Sequence, residues 1–105
     1  MYARLTLLEI DTMRIDIDSA LTMYREQVVP EMRNQPDYLG VIALTTPTGA
    51  AALISFWGTA EAAEAGRLTG FYADILERYT TIFRSPPGRE SYEVAFAELP
   101  ETIMA

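Results

Sequence analysis

The sequence predicts an α+β fold: one antiparallel four-stranded sheet with two helices on one face, in the chain order β-α-β-β-α-β. Three observations carry this. Two long stretches, 15–35 and 59–84, repeat apolar residues at helical spacing. Four shorter stretches, 2–10, 38–46, 50–57 and 90–98, are apolar and β-prone. Between the middle two lies "PTG", with the residues that a tight turn demands. One domain is expected over residues 1–98, with a C-terminal tail over 99–105.

The first strand, "YARLTLLEI", puts Leu5 and Leu7 on one face and Arg4, Thr6, Leu8 and Ile10 on the other. The first helix carries Ile17, Leu21, Tyr24, Val28 and Met32 as a single stripe. Asp16 and Asp18 stand at its start, where they offset the helix dipole, and this outweighs reading "DID" as a metal or phosphatase motif. Pro30 lies inside the pattern and is expected to kink the helix there, because it removes the bond to the Glu26 carbonyl. The hairpin strands pair around Pro47 and Gly49. Val41 and Ala43 alternate with Ile42 and Leu44, and Leu53 and Trp57 with Ile54 and Phe56. Thr59 is the expected N-cap of the second helix, which runs to about residue 84 and ends at "SPPG". The last strand, "ESYEVAFAE", alternates Tyr92, Val94 and Phe96 with Glu93, Ala95 and Ala97.

Composition removes several function classes. The 105-residue chain has a net charge of −7 and no histidine or cysteine, and all eight of its basic residues are arginine. The charge disfavours nucleic acid and anionic membranes as partners. No apolar run is long enough to span a bilayer and no signal peptide is evident, so the expected location is cytoplasmic. Without histidine, cysteine or lysine there is no imidazole base, thiol nucleophile or Schiff-base amine. Carboxylates, tyrosines, arginines, hydroxyls and Trp57 remain for chemistry.

Two helices cover one sheet face, yet several strands are apolar on both. An exposed apolar sheet of that size is a liability that a two-fold dimer packing sheet on sheet removes. The chain is therefore expected to be a homodimer.

In sequence the chain resembles the dimeric α/β-barrel proteins of the antibiotic-biosynthesis-monooxygenase type. The resemblance is carried by "MYARLT", by "YREQVVPEMRNQPDYLGV" with its internal proline, by "ISFWGTAEAAEA" with its strand-end tryptophan, and by "ESYEVAF". It implies a ferredoxin-like protomer, a dimer whose sheets close into a barrel, and a pocket between sheet and helices. The family includes oxygenases that use neither metal nor flavin, quinol oxygenases, haem-degrading enzymes and many proteins with no known activity. Where its haem degraders carry a second tryptophan and a haem-ligating histidine, this chain has Gly66 and Leu76. Their first-strand asparagine has no counterpart either, since Asn34 lies at the end of the first helix. Haem degradation is thereby disfavoured, and no cofactor or metal is expected.

Arg4 either points into the pocket to bind an enolate or carboxylate, or sits at the sheet edge paired with a carboxylate such as Glu93. Tyr72, near Gly70, and Asp74 are the other catalytic candidates, as groups that move a proton or orient a substrate oxygen. Trp57, Tyr24, Phe71 and Phe56 are candidates for lining the pocket. Each has a plain packing alternative, and for Trp57 the preferred reading is an anchor for the second helix. The leading functional expectation is a cofactor-independent monooxygenase of a small aromatic or quinol-like substrate. Its alternative is a non-catalytic dimer that binds a small apolar or aromatic ligand or serves as an accessory protein.

Overall fold

The first strand, β1 (Tyr2–Ile10), lies between β3 (Ala50–Trp57) and β4 (Phe83–Glu93), and β2 (Tyr38–Thr45) flanks β3. The order β2-β3-β1-β4, antiparallel throughout, comes from a computed structural model that describes residues 1–69 and 83–98, and the side chains of 1–65 and 91–98. With two helical segments on one face, this is the α+β, ferredoxin-like arrangement expected.

The first helical segment is built in three parts. α1 (Ile17–Met23) passes into a π-helical turn (Tyr24–Val28) and then α2 (Val29–Arg33). The kink expected at Pro30 is thus displaced to the turn before it. Pro30 sits in the first turn of α2, where a missing N–H costs little. The Val29 N–H reaches back five residues to the Tyr24 carbonyl, so the ladder widens before the proline ring arrives. The apolar stripe carries the same signature. Its consecutive steps of four, from Tyr24 to Val28 to Met32, exceed an α-helical turn and match a wider one. Asp16 occupies the N-cap of α1, although its carboxylate makes no capping hydrogen bond. Its contribution is the dipole interaction alone.

The hairpin forms as expected. Gly49 donates its N–H to the Thr46 carbonyl, and Thr46 donates its own to Ala50. Gly49 has φ of 103° and its carbonyl accepts the Ile10 N–H at 2.7 Å. A Cβ there would collide with the Ile10 carbonyl oxygen. Thr59 caps α3 (Ala60–Thr69), its Oγ1 accepting the Ala62 N–H at 3.1 Å.

The last strand differs from expectation. It begins at Phe83, so "SPPG" lies within β4 instead of ending a helix, and the helix expected to continue to residue 84 has given way by Phe83. Prolines are tolerated here because β4 is an edge strand. The register against β1 shifts twice, between Leu7 and Glu9 and between Glu9 and Ile10, where β4 carries the prolines. The ladder also ends earlier than expected, at Glu93 opposite Tyr2.

The two sheet faces are unequal. One is covered by the helices and holds two buried clusters. Val28, Met32, Trp57, Ala62 and Ala63 form the first, and Ile10, Ala20 and Ala51 the second. The other face carries Leu5, Leu7, Ile42, Leu44, Ile54 and Phe56 by strand alternation, all of them half-buried or exposed. Among the described residues no helix is long and apolar enough to cross a membrane.

Gly49→Ala combines a disfavoured φ with a backbone collision. It is expected to destabilise the protein by more than about 1 kcal/mol in chemical denaturation.

Candidate functional site

The helix-covered face is polar in the middle. Its rows follow from the strand register, because directly paired residues share a face. The row at one end is Tyr38, Trp57, Tyr2 and Glu93; the next is Val41, Ser55, Arg4 and Ser91; a third is Ala43, Leu53, Thr6 and Arg89. The Trp57 cluster occupies the first row and the Ile10 cluster the far end. Arg4, Ser55 and Thr6 fall between them, so two apolar clusters bracket a polar strip beneath the helices.

Arg4 and Ser55 are each only 3% exposed. β1 is an interior strand, so Arg4 does not stand at the sheet edge, as one of its two readings had it. Glu93 is exposed and lies opposite Tyr2, while Arg4 lies opposite Ser55 on one side and Ser91 on the other. A guanidinium offers five donors in a rigid fork, and in buried surroundings its charge acts with little screening.

Trp57 is 2% exposed and reaches the core because β3 ends directly before α3. Small residues on the facing turn, Ala62 and Ala63, let the helix lie flat on the indole. The indole N–H donates to Ser55 Oγ at 2.9 Å, two residues back on the same strand face. The Tyr38 ring meets the indole edge-on, with centroids 5.5 Å apart and planes at 74°. This geometry is that of an anchor.

Tyr24, at the start of the π turn, is half-buried against the Trp57 cluster, and its hydroxyl donates to Met32 Sδ at 3.4 Å. Thioether sulfur is a weak acceptor, so this bond gives way readily to a better oxygen. Phe56 goes elsewhere. It alternates with Trp57 along β3 and therefore stands on the uncovered face, away from the helices. Arg4, Trp57 and Tyr24 are thus gathered under the helices and Phe56 is not. Phe71, Tyr72 and Asp74 lie outside the described residues.

Ser55 was not singled out from the sequence. Its signal was a lone hydroxyl two residues before the tryptophan, within an apolar strand. Among the described residues no three acidic side chains converge to hold a metal ion.

The sequence matches no protein-family model and finds no match among curated proteins. Solved structures do match. The monooxygenase ActVA-Orf6 of Streptomyces coelicolor, solved with nanaomycin D, superposes with a TM-score of 0.73 at 15% identity, over 94% of this chain and 91% of that one. SnoaB, a cofactor-independent oxygenase from Streptomyces nogalater, gives a TM-score of 0.71 at 9% identity, over 95% and 97%. The fold is that of the antibiotic-biosynthesis-monooxygenase (ABM) structures. NE2512 of Nitrosomonas europaea, a protein of unknown function, shares 22% identity with this chain at a TM-score of 0.69, over 94% and 93%. An ABM-type fold therefore accompanies more than one level of functional knowledge, and the chemistry must be argued from the site.

The Trp57–Ser55 pair is expected to govern stability. Ser55→Ala strands a buried indole N–H and should cost about 1–3 kcal/mol. Trp57→Ala empties the first cluster and should cost about 3–5 kcal/mol, both read by urea denaturation.

Proposed function

We propose that the protein is a cofactor-independent monooxygenase of a small aromatic or quinol-like substrate, acting as a homodimer packed sheet on sheet. The observation that carries this reading is Arg4, buried beside Ser55 in a polar strip between two apolar clusters. It sits on a fold shared with a monooxygenase and with a cofactor-independent oxygenase. The apolar clusters suit a flat, apolar substrate body, and the guanidinium suits one oxygen that turns anionic.

In this chemistry the substrate gives up a proton and its electron-rich anion attacks dioxygen. A CH₂ carbon becomes a carbonyl, one oxygen atom stays on it, and the other leaves as water. The electrons that reduce the second atom come from the substrate. Arg4 stabilises the anion, the step at which charge develops. Tyr72 and Asp74 are the proposed proton carriers, since the chain has no histidine. Trp57 and Tyr24 form the aromatic wall.

The homodimer follows from the uncovered apolar face. Leu7 is 57% and Leu44 52% exposed, and a second copy of the same face buries both. Haem degradation stays disfavoured, because Gly66 and Leu76 stand at the positions of the tryptophan and histidine.

One observation favours the non-catalytic alternative. The Trp57 N–H is already engaged by Ser55 within the protein, which suits a wall that binds more than a group that reacts.

Oxygen uptake with quinols and anthrone-type compounds separates the two readings. The oxygenase consumes oxygen, and Arg4→Met lowers kcat/KM by roughly a hundredfold, the usual effect of losing one oxyanion donor. Ligand binding by the pure protein without any uptake rejects the oxygenase in favour of the binding protein.

A further inference from the structure

The Ser55 hydroxyl has a proton to place. The side chain is 3% exposed, and its Oγ accepts the Trp57 indole N–H at 2.9 Å. An indole N–H only donates, so this bond takes a lone pair of the hydroxyl and leaves its proton for another acceptor. Among the described residues the hydroxyl accepts that one bond and donates none. Its cross-strand neighbours cannot take the proton, since Val41 is apolar and the Arg4 guanidinium has donors alone. A buried hydroxyl without an acceptor carries a desolvation penalty, which a ligand oxygen relieves.

The residues around that proton favour an acceptor with negative charge. Arg4 stands directly opposite Ser55 and is equally buried. Directly paired residues have Cβ atoms about 5 Å apart, close enough for both side chains to serve one oxygen. A guanidinium has five donors, enough for contacts within the protein and for a ligand oxygen besides. The two middle rows of the covered face hold two arginines, Arg4 and Arg89, and no acidic residue. Glu93 ends the first row and is exposed, and the half-buried acids of the helical segments are Glu31 in α2 and Glu64 in α3. The row of Ser55 and Arg4 opens at its β4 end, where Ser91 is exposed.

We propose that Ser55 is the second hydrogen-bond donor of the site, its O–H and the Arg4 guanidinium converging on one phenolate or enolate oxygen of the substrate. Trp57 is then a positioning residue, because its N–H turns the hydroxyl proton away from the indole and toward that oxygen. The inference rests on the reading of Arg4 as the group that stabilises the substrate anion, and it gives Arg4 a partner. The bonds run in series, from the indole N–H to Oγ and from the hydroxyl to the anion, each polarising the next. The pair also sets a specificity: a substrate with an ionisable hydroxyl is held, and its methyl ether, which forms no anion, is held less tightly.

4-Nitrophenol and 4-nitroanisole differ in that ionisable proton and serve as probes. Their binding to the wild-type, Ser55→Ala, Ser55→Thr and Arg4→Met proteins is measured at pH values on both sides of the nitrophenol pKa. Wild type is expected to prefer nitrophenolate over nitrophenol by roughly a hundredfold, the sum of two charge-assisted bonds. Ser55→Ala is expected to lose about tenfold of that preference while nitroanisole binding holds, and Ser55→Thr to keep most of it. The wild type gives a second reading, because its one tryptophan has one indole N–H resonance. Nitrophenolate is expected to move that resonance downfield, since Oγ becomes a better acceptor as its proton is drawn to the anion; nitroanisole should not. Preference that falls with Arg4→Met and ignores Ser55→Ala overturns the Ser55 assignment and leaves the Arg4 reading standing. Preference unchanged in both variants overturns both. An indole resonance that answers alike to the two probes overturns the role of Trp57 and Ser55, whether or not the variants fold. A wild type that binds neither probe overturns the site and the oxygenase reading together.

Discussion

Burial of the Trp57 indole under the first turns of α3 ties the strand end, the helix start and the first helical segment into one cluster. β3 ends on the tryptophan, Gly58 and Thr59 turn the chain, and Ala62 and Ala63 come down on the ring. Val28 and Met32 close it from the other helical segment. A buried indole needs its N–H satisfied, and Ser55 does this from the same strand face. The serine in turn stands opposite Arg4. The packing anchor and the charged group of the candidate site are therefore adjacent, and the site inherits its rigidity from the core.

A second constraint acts on the other side of the sheet. The helices pack on one face only, while apolar residues alternate onto both. The covered face could afford a polar strip because its clusters lie at the two ends. On β1, β2 and β3 the middle rows of the uncovered face are apolar, with Leu5, Leu7, Ile42, Leu44, Ile54 and Phe56, while β4 places Glu90 and Tyr92 along its edge. The candidate site and the surface proposed for association thus lie on opposite faces of one sheet, with period-two alternation deciding which residue falls on which. Phe56 and Trp57, neighbours in sequence, fall on opposite sides of this division.

The element types and most boundaries were legible in the sequence, each for a local reason. Helical periodicity, the Thr59 cap, the turn chemistry around Gly49 and the stop at "QPD" depend on residues close together in the chain. The misread elements depended on distant ones. "SPPG" reads as a helix stop, but on an edge strand prolines lose no inner ladder bond, and edge status is a property of the whole sheet. The end of β4 is set by where β1 begins, not by its own alternation. The widened turn before Pro30 left a trace in the spacing of Tyr24, Val28 and Met32, yet that trace is intelligible only beside the backbone.

The sequence by itself determined the α+β architecture, the excess of apolar surface over helical cover, and the absence of imidazole, thiol and amine chemistry. It determined these because they follow from composition and from periods of two and near four residues. Only the tertiary structure decided that Arg4 lies on an interior strand, that Ser55 faces it, that Trp57 spends its N–H on that serine, and that Phe56 turns away. Strand order and register make those pairings, and they are fixed by contacts between residues some fifty positions apart, such as Arg4 and Ser55. No local pattern encodes which of two adjacent aromatic residues will end beneath a helix.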